Sequence, residues 1–408
     1  MTFPLSRRRQ LAVLIALFAA WSIAYADRIV IGTAIIPIAH EFGLSDQAKG
    51  LVLGAFYVTY ALMQLGGGTL ADRYGSRKVL VGCLLLWSIF TALTSTAWSL
   101  ASLVGFRLLF GVGEGSFAPA NARAITESFP ASLRGRVQAL MCSTVFLGSA
   151  VGSAAVGWTI YRYGWRATFP ALGALGLLVA AALLVSLAPQ TGDATHTLSD
   201  AAPRASWRDI VRTPLVWRVA AIWFGSCVLS LGLQAWMPSW LMREHGVDLL
   251  HIGLLSAVPF IVSFIGTNVI GHVIDRCDRT RLRHLLAAGA LFSAFFLALM
   301  IRATSIPMLM LWWTLCMLSF DMVYATVFSI PLKYFPAAIS GRTTGLINFS
   351  GQLAGAIAPV VMGRLITVSH GSYVGAFVFL IGAGLVAGGV ALTTDFGARS
   401  IAVRLERS

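Results

Sequence analysis

The sequence predicts an all-α membrane protein with twelve spanning helices, arranged as two pseudo-symmetric halves of six. Three observations lead to this. Of the 408 residues, 57% are hydrophobic and only 11% charged, whereas an ordinary soluble domain carries about 25% charged residues. The apolar residues gather into runs separated by short charged or Gly/Pro-bearing gaps, each run about 20 residues long, as a helix crossing about 30 Å of hydrocarbon requires. Motifs also recur at close to half the chain length. This composition argues against a soluble enzyme or a disordered regulator, and the gaps leave no room for a sizeable extramembrane domain.

The first run, 11–38, follows Arg7, Arg8 and Arg9. Its beginning, up to Ala24-Tyr25-Ala26, has the pattern of a cleavable signal peptide, but the apolar pattern resumes over 29–38, so a retained span is expected. Runs 50–71, 79–97, 99–121, 137–158 and 165–187 complete a first half, 1–187. The longest polar stretch, 188–214, contains Pro189, Gly192, Asp193, Ser199, Asp200 and Pro203 and reads as a linker. Runs 215–241, 250–274, 285–303, 306–330, 343–367 and 372–394 make a second half, 215–394, followed by a tail, 395–408. Gly68-x-x-x-Asp72-Arg73 after the second run returns as Gly271-x-x-x-Asp275-Arg276 after the eighth, an offset of 203 residues. Gly148-x-x-x-Gly152 in the fifth run returns as Gly351-x-x-x-Gly355 in the eleventh, at the same offset. An even number of spans per half gives both repeats the same orientation, the layout of an alternating-access carrier with a site between the halves.

The net charge of +14 and pI near 10.3 would point to nucleic acid in a soluble protein. Here the basic residues fall in alternate gaps: Arg7 to Arg9, Arg73, Arg77 and Lys78, then Arg123, Arg134 and Arg136, the arginines of the linker, Arg276 to Arg283, Lys333 and Arg342, and the tail. The positive-inside rule makes that side cytoplasmic, with both termini and the linker in the cytosol of a cell whose inner membrane holds the chain. A lipid bilayer, not nucleic acid, is the expected partner. Cys83, Cys142, Cys227, Cys277 and Cys316 show no CxxC spacing, and the seven histidines show no metal-ligand spacing. No disulfide framework, metal or cofactor is therefore expected.

Gly68-Thr-Leu-Ala-Asp72-Arg73-Tyr-Gly75-Ser-Arg77-Lys78 resembles the loop motif of the major facilitator superfamily, with serine in one usually basic slot. The resemblance covers essentially the whole chain and implies a gate lock made by Gly68, Asp72, Arg73, Gly75 and Arg77, echoed by Asp275 and Arg276. A narrower resemblance comes from Tyr25-Ala-Asp27-Arg28-x-x-Ile31-Gly32 combined with Arg107-x-x-x-Gly111-x-Gly113-Glu114-Gly115-x-x-x-Pro119. Together these are similar to the anion:cation symporter family of sugar-acid and sialin-like carriers. Tyr60 and Asn348 match positions that this family implies to contact substrate, whereas Phe328 stands where some sugar-acid carriers have tryptophan. The fifth run has Gly148-Ser-Ala-Val-Gly152 in place of the Gly-Pro signature associated with drug antiporters.

Five ionisable residues lie well inside apolar runs: Asp27, Arg28, Arg107, Glu114 and Asp321. Each costs about 2.5–3.5 kcal/mol at a helix centre, so such charges face a cavity or a partner. Arg28 and Arg107 lie at similar depth, roughly 12–15 Å below the outer face at 1.5 Å per residue. Tyr25 and Arg28 are i, i+3 neighbours, and Arg107, Gly111 and Glu114 share a face. Asp27, turned about 100° from Arg28, is expected to pair with Arg107 and leave Arg28 for substrate. The four charges sum to zero, so an entering carboxylate is balanced by protonation of Asp27 or Glu114. The alternative is a fixed set of salt bridges. Gln234 and Gln352, with Tyr57, Gln64 and Trp236, are further pocket candidates. Asp321, with Tyr324 and Phe328 following on its face, is either an extra proton site or a hydrogen-bonded structural group.

These readings point to a monomeric, proton-coupled importer of a small carboxylate. The competing readings are a proton-coupled exporter of drugs or metabolites and a non-transporting membrane sensor. An enzyme would need a nucleophile, metal cluster or cofactor motif, and the sequence displays none.

Overall fold

The computed structural model describes residues 6–187, 210–275, 277–335 and 337–395. Its helices follow the predicted runs. They are α1 (Arg7–Phe42), α2 (Asp46–Tyr74), α3 (Ser76–Thr94), α4 (Leu100–Gly115), α5 (Phe117–Ser128), α6 (Ala131–Tyr163) and α7 (Trp165–Ser186). After the linker come α8 (Pro214–His245), α9 (Leu249–Asp275), α10 (Arg279–Ile301), α11 (Ile306–Tyr334), α12 (Ala337–Val368) and α13 (Val374–Thr393). Eleven spans among the described residues are long and apolar enough to cross a membrane. The second run, not among those eleven, forms the 29-residue α2. α1 continues through the signal-like stretch without interruption and ends at Gly43, which is left-handed with φ 63°, a conformation glycine adopts at little cost.

The fourth run forms one span, Leu100–Ser128, within which the helix breaks at Ser116 (φ −92°, ψ −1°), separating α4 from α5 immediately after Glu114 and Gly115. Phe117, the first residue of α5, fills the bend. Its ring lies edge-on to Trp21 of α1 at 5.2 Å and to Trp87 of α3 at 4.9 Å. Paired aromatic rings in this arrangement add packing energy beyond area burial.

The chain clusters into two compact units, Met1–Asp200 with Ala235–Ala257, and Ala201–Gln234 with Val258–Ser408. The segment Ala235–Ala257 joins the first unit through specific contacts. Arg243 pairs with Asp46 at 3.2 Å, while Asp46 also accepts from Lys49 at 2.8 Å. Gly253 lies so close to Gly157 of α6 that an added Cβ would meet its Cα at 2.8 Å.

Within the first unit, small residues let the helices bearing the ionisable groups approach. A Cβ on Gly148 or Gly152 of α6 would come within 2.8 Å of the Cα of Ser22 or Ala26 on α1, so the Gly-x-x-x-Gly pair seats α6 against α1 beside Asp27. On α4, a Cβ on Gly113 would meet the Trp87 backbone nitrogen at 2.8 Å, and Gly111 and Gly115 press against Phe56, Thr59 and Met63 of α2. The glycines around Glu114 thus form a seam between α2 and α3 that aims its carboxylate.

Candidate functional site

Arg28, one helical turn after Tyr25 on α1, reaches across to Glu114 at the end of α4. Its Nε donates to Glu114 Oε1 at 2.8 Å, and its Nη2 donates to the same oxygen. The guanidinium lies 4.6 Å from the Tyr60 ring centroid, 4.8 Å from that of Tyr25 and 5.5 Å from that of Phe56. Aromatic faces stabilise a cation by about 0.5–2 kcal/mol each, more when water is excluded. Glu114 is 1% exposed and the Arg28 side chain 12%, so the pair sits at the edge of accessibility with its carboxylate inside. Glu114 Oε2 has no hydrogen-bond partner.

Arg107 and Asp27 form a second, looser pair. Both are buried. Contrary to the expected ion pair, Arg107 Nη1 donates to the Asp27 backbone carbonyl, at 3.5 Å, and neither Asp27 carboxylate oxygen has a hydrogen-bond partner. Glu114, the Arg107 guanidinium and Thr91 of α3 are the polar groups around that carboxyl. Phe110 and Phe169 flank Arg107, with centroids at 5.3 and 5.7 Å. Arg28 is thus held by Glu114, while Asp27 keeps Arg107 as its positive neighbour without a direct contact between the two side-chain charges. The reason is rotational: the seam at Gly111 and Gly113 fixes how α4 faces its neighbours and turns Glu114 toward α1. Phe56 belongs to the Arg28 cage but was absent from the sequence candidates. Its place one turn before Tyr60 was the available signal.

In the second unit, Gln234 donates to Ser230 Oγ at 2.9 Å, and Gln352 donates to Asn348 Oδ1 at 3.3 Å. Both are contacts within their own helices. Asp321 on α11 is buried beside Ser263 of α9. Trp223 of α8 stacks on Phe320 at 5.7 Å and meets Phe328 edge-on at 5.2 Å and Tyr324 at 5.8 Å. Among the other candidates, Tyr57 packs edge-on to Phe56 at 4.8 Å, and Trp236 is fully buried.

The loop motif forms a connected charge network. Asp72 accepts from Arg123 of α5 at 3.0 Å, and Arg123 also donates to the Ala71 carbonyl at 2.9 Å and to Glu127 at 2.7 Å. Ser76 donates to the other oxygen of Glu127. Arg77 donates to the Leu184 carbonyl at the end of α7, at 2.6 Å, and Arg73 lies over Tyr74. Gly75 adopts φ 83°, the positive range that the turn between α2 and α3 requires and other residues resist. Gly68 lies within α2. Of the repeated motif, Asp275 ends α9 and Arg276 lies outside the described residues.

A family model described as the Major Facilitator Superfamily matches residues 16–359, with a second match over 246–402. The chain belongs to the Major Facilitator Superfamily. It is a multi-pass membrane transporter and not an enzyme. Its curated relatives include the probable sulfoacetate transporter SauU of Cupriavidus necator, 31% identical over 86% of both chains. The probable galactarate/D-glucarate transporter GarP of Escherichia coli is 26% identical over 90% of both, and the sodium-dependent phosphate transport protein 1 of Arabidopsis thaliana is 29% identical over 92% of this chain and 77% of its own length. Among solved structures, a bacterial homologue of the human lysosomal transporter Spinster, in an inward-facing and occupied conformation, superposes with a TM-score of 0.79 at 20% identity, covering 95% of this chain and 97% of that one. That likeness concerns the fold alone.

Proposed function

We propose that this transporter imports a small organic anion, a sugar acid or other short carboxylate, together with protons across the inner membrane. Its halves, 1–187 and 215–394, would alternate access to the site, with both termini in the cytosol. The observation that carries the reading is the buried Arg28–Glu114 pair inside an aromatic cage, supported by relatives whose names specify sulfoacetate and galactarate/D-glucarate.

Glu114 occupies the position that a substrate carboxylate would take. A guanidinium grips a carboxylate at two nitrogens and does not discharge. An incoming anion must therefore compete with the resident acid unless that acid is neutralised. Protonation of Glu114 releases Arg28 to the substrate and cancels the charge the substrate brings. Bound proton and bound anion then stabilise one another, and linkage makes the effect reciprocal. Asp27, buried next to Arg107 but outside any direct ion pair, serves as a second acceptor within the same neutral set of four charges. Tyr25 and Tyr60 orient the substrate, and Gln234, Asn348 and Gln352 are the second unit's own candidates for hydrogen bonds to it.

The sign is definite: anion affinity rises as pH falls through the titration of Glu114, because the competent state carries one proton more. The test is binding of sulfoacetate, galactarate and galactonate to purified protein at acidic and neutral pH, with uptake into proteoliposomes under an inward proton gradient. Wild type is expected to bind more tightly at acidic pH and to accumulate substrate. Glu114→Gln is expected to bind equally at both pH values and to lose gradient-driven accumulation. PH-independent binding by wild type would overturn the reading.

A further inference from the structure

Asp321 occupies an unusual position in the second unit. It is 2% exposed, and its Oδ2 has no hydrogen-bond partner. The apolar stretches 219–234, 258–270, 285–301, 306–330, 343–363 and 374–393 contain no other charged residue. Its surroundings explain why nothing balances it. Ser263 of α9 hydrogen-bonds its carboxyl. Among the described residues, the titratable side chains nearby are Cys316, which feels the Asp321 charge, and Tyr324 one turn on along α11, and neither is a cation. Nor does the packed face of α10 offer one: Ser293 of that helix bonds the Cys316 carbonyl at 3.2 Å, and a Cβ on Gly289 would meet the Ser319 carbonyl at 2.8 Å.

A lone carboxylate in such a place carries the full desolvation cost of a charge with no Coulombic return, whereas its protonated form costs only that of a polar group. A purely structural role would be filled as well by serine or asparagine, which do not ionise. Ionisable residues inside membrane spans mark proton and ion pathways more often than packing.

Resting on the proton-coupled reading above, we propose that Asp321 is a second, independent proton carrier in the C-terminal half. In the state described here it holds a proton on its carboxyl. When the half rearranges and water reaches Ser263 and the Trp223–Phe320–Tyr324–Phe328 cluster, that proton leaves, and a fresh one must be taken up before the acid can be buried again. The proton bound on one side is the one released on the other, and no other bond changes. Each cycle therefore moves one proton beyond those bound by the first unit. The carrier is then suited to substrates of two negative charges, which it can move against the membrane potential.

The experiment measures stoichiometry by reversal potential. Proteoliposomes holding a fixed galactarate gradient and pH difference are clamped at a series of membrane potentials until net flux is zero. This ratio is set by thermodynamics and not by the amount of active protein. Wild type is expected to move at least two protons per anion, Asp321→Asn one fewer, and Asp321→Glu the wild-type number. An unchanged ratio in Asp321→Asn, or one proton in wild type, overturns this proposal while leaving the Arg28–Glu114 mechanism standing. Proton-independent flux in wild type overturns the mechanism itself. Because variants can fail to assemble, infrared difference spectra of the wild type provide an independent check. A protonated carboxyl band that is insensitive to substrate but lost on alkaline titration of reconstituted protein supports the assignment, and absence of any such buried carboxyl band overturns it.

Discussion

The interiors of the two units solve the same problem, a charge within a membrane, in opposite ways. The first gathers four ionisable side chains, two of each sign, and lets Arg28 lie among three aromatic rings with Glu114 as its counterion. The second holds the single acid Asp321 next to an aromatic cluster centred on Trp223. Duplication of a six-helix unit leaves its trace in the glycine motifs at a 203-residue offset, yet the chemistry has not been kept in register. A set of paired charges can exchange one anion for another, because Arg28 needs a carboxylate whichever molecule supplies it. A lone acid has nothing to exchange and can only take or give a proton.

The largest effect that would sharpen this contrast is expected at Arg28. Replacing it with alanine leaves Glu114 buried and uncompensated, a loss of about 3–5 kcal/mol in stability, and is expected to reduce anion counterflow by roughly 100-fold or more, the equivalent of about 2.7 kcal/mol. The double variant Arg28→Ala, Glu114→Gln should recover much of the stability in thermal melts and none of the counterflow. Recovery of transport would mean that the pair is only a strut.

A middle-sized effect compares the glycine seams. Gly113→Ala sets a methyl against the Trp87 backbone nitrogen, 2.8 Å away, and backbone cannot easily retreat. The expected cost is about 1–3 kcal/mol. Gly266→Ala of α9 meets only the end of the Leu318 side chain, which can swing aside, and should lower the melting temperature less. Equal losses would break the claim that the first unit's site is the more rigidly framed.

The smallest effect is expected at the loop motif. The Asp72 side chain is 80% exposed in its pair with Arg123, and pairs of that kind contribute about 0–1 kcal/mol. Asp72→Asn should leave the melting temperature nearly unchanged, so a defect in transport rate would report a role in the moving states.

Much of this was legible beforehand. The apolar runs match the helices closely because the hydrocarbon thickness imposes a length that sequence must honour. The i, i+3 relation of Tyr25 and Arg28 was likewise readable, being a property of one helix. The break at Ser116 had local marks in Gly113, Gly115 and Pro119, but its exact place did not, because Phe117 is accommodated there by Trp21 and Trp87, which come from two other helices. That Glu114 reaches Arg28 was not legible for the same reason. A helix's own periodicity says which residues share a face, but it does not say toward which neighbour that face is turned.

By itself, the sequence determined that the chain lives in a bilayer, where its spans run, which charges are buried and that its halves repeat, since these follow from composition and from the geometry of a single helix. Only the tertiary structure decided that Glu114 and not a vacant site holds Arg28, that Arg107 bonds the Asp27 backbone carbonyl rather than its carboxylate, and that Ala235–Ala257 joins the first unit. Each of these depends on the rotation and approach of helices, which are set by close packing at glycine seams contributed by distant parts of the chain.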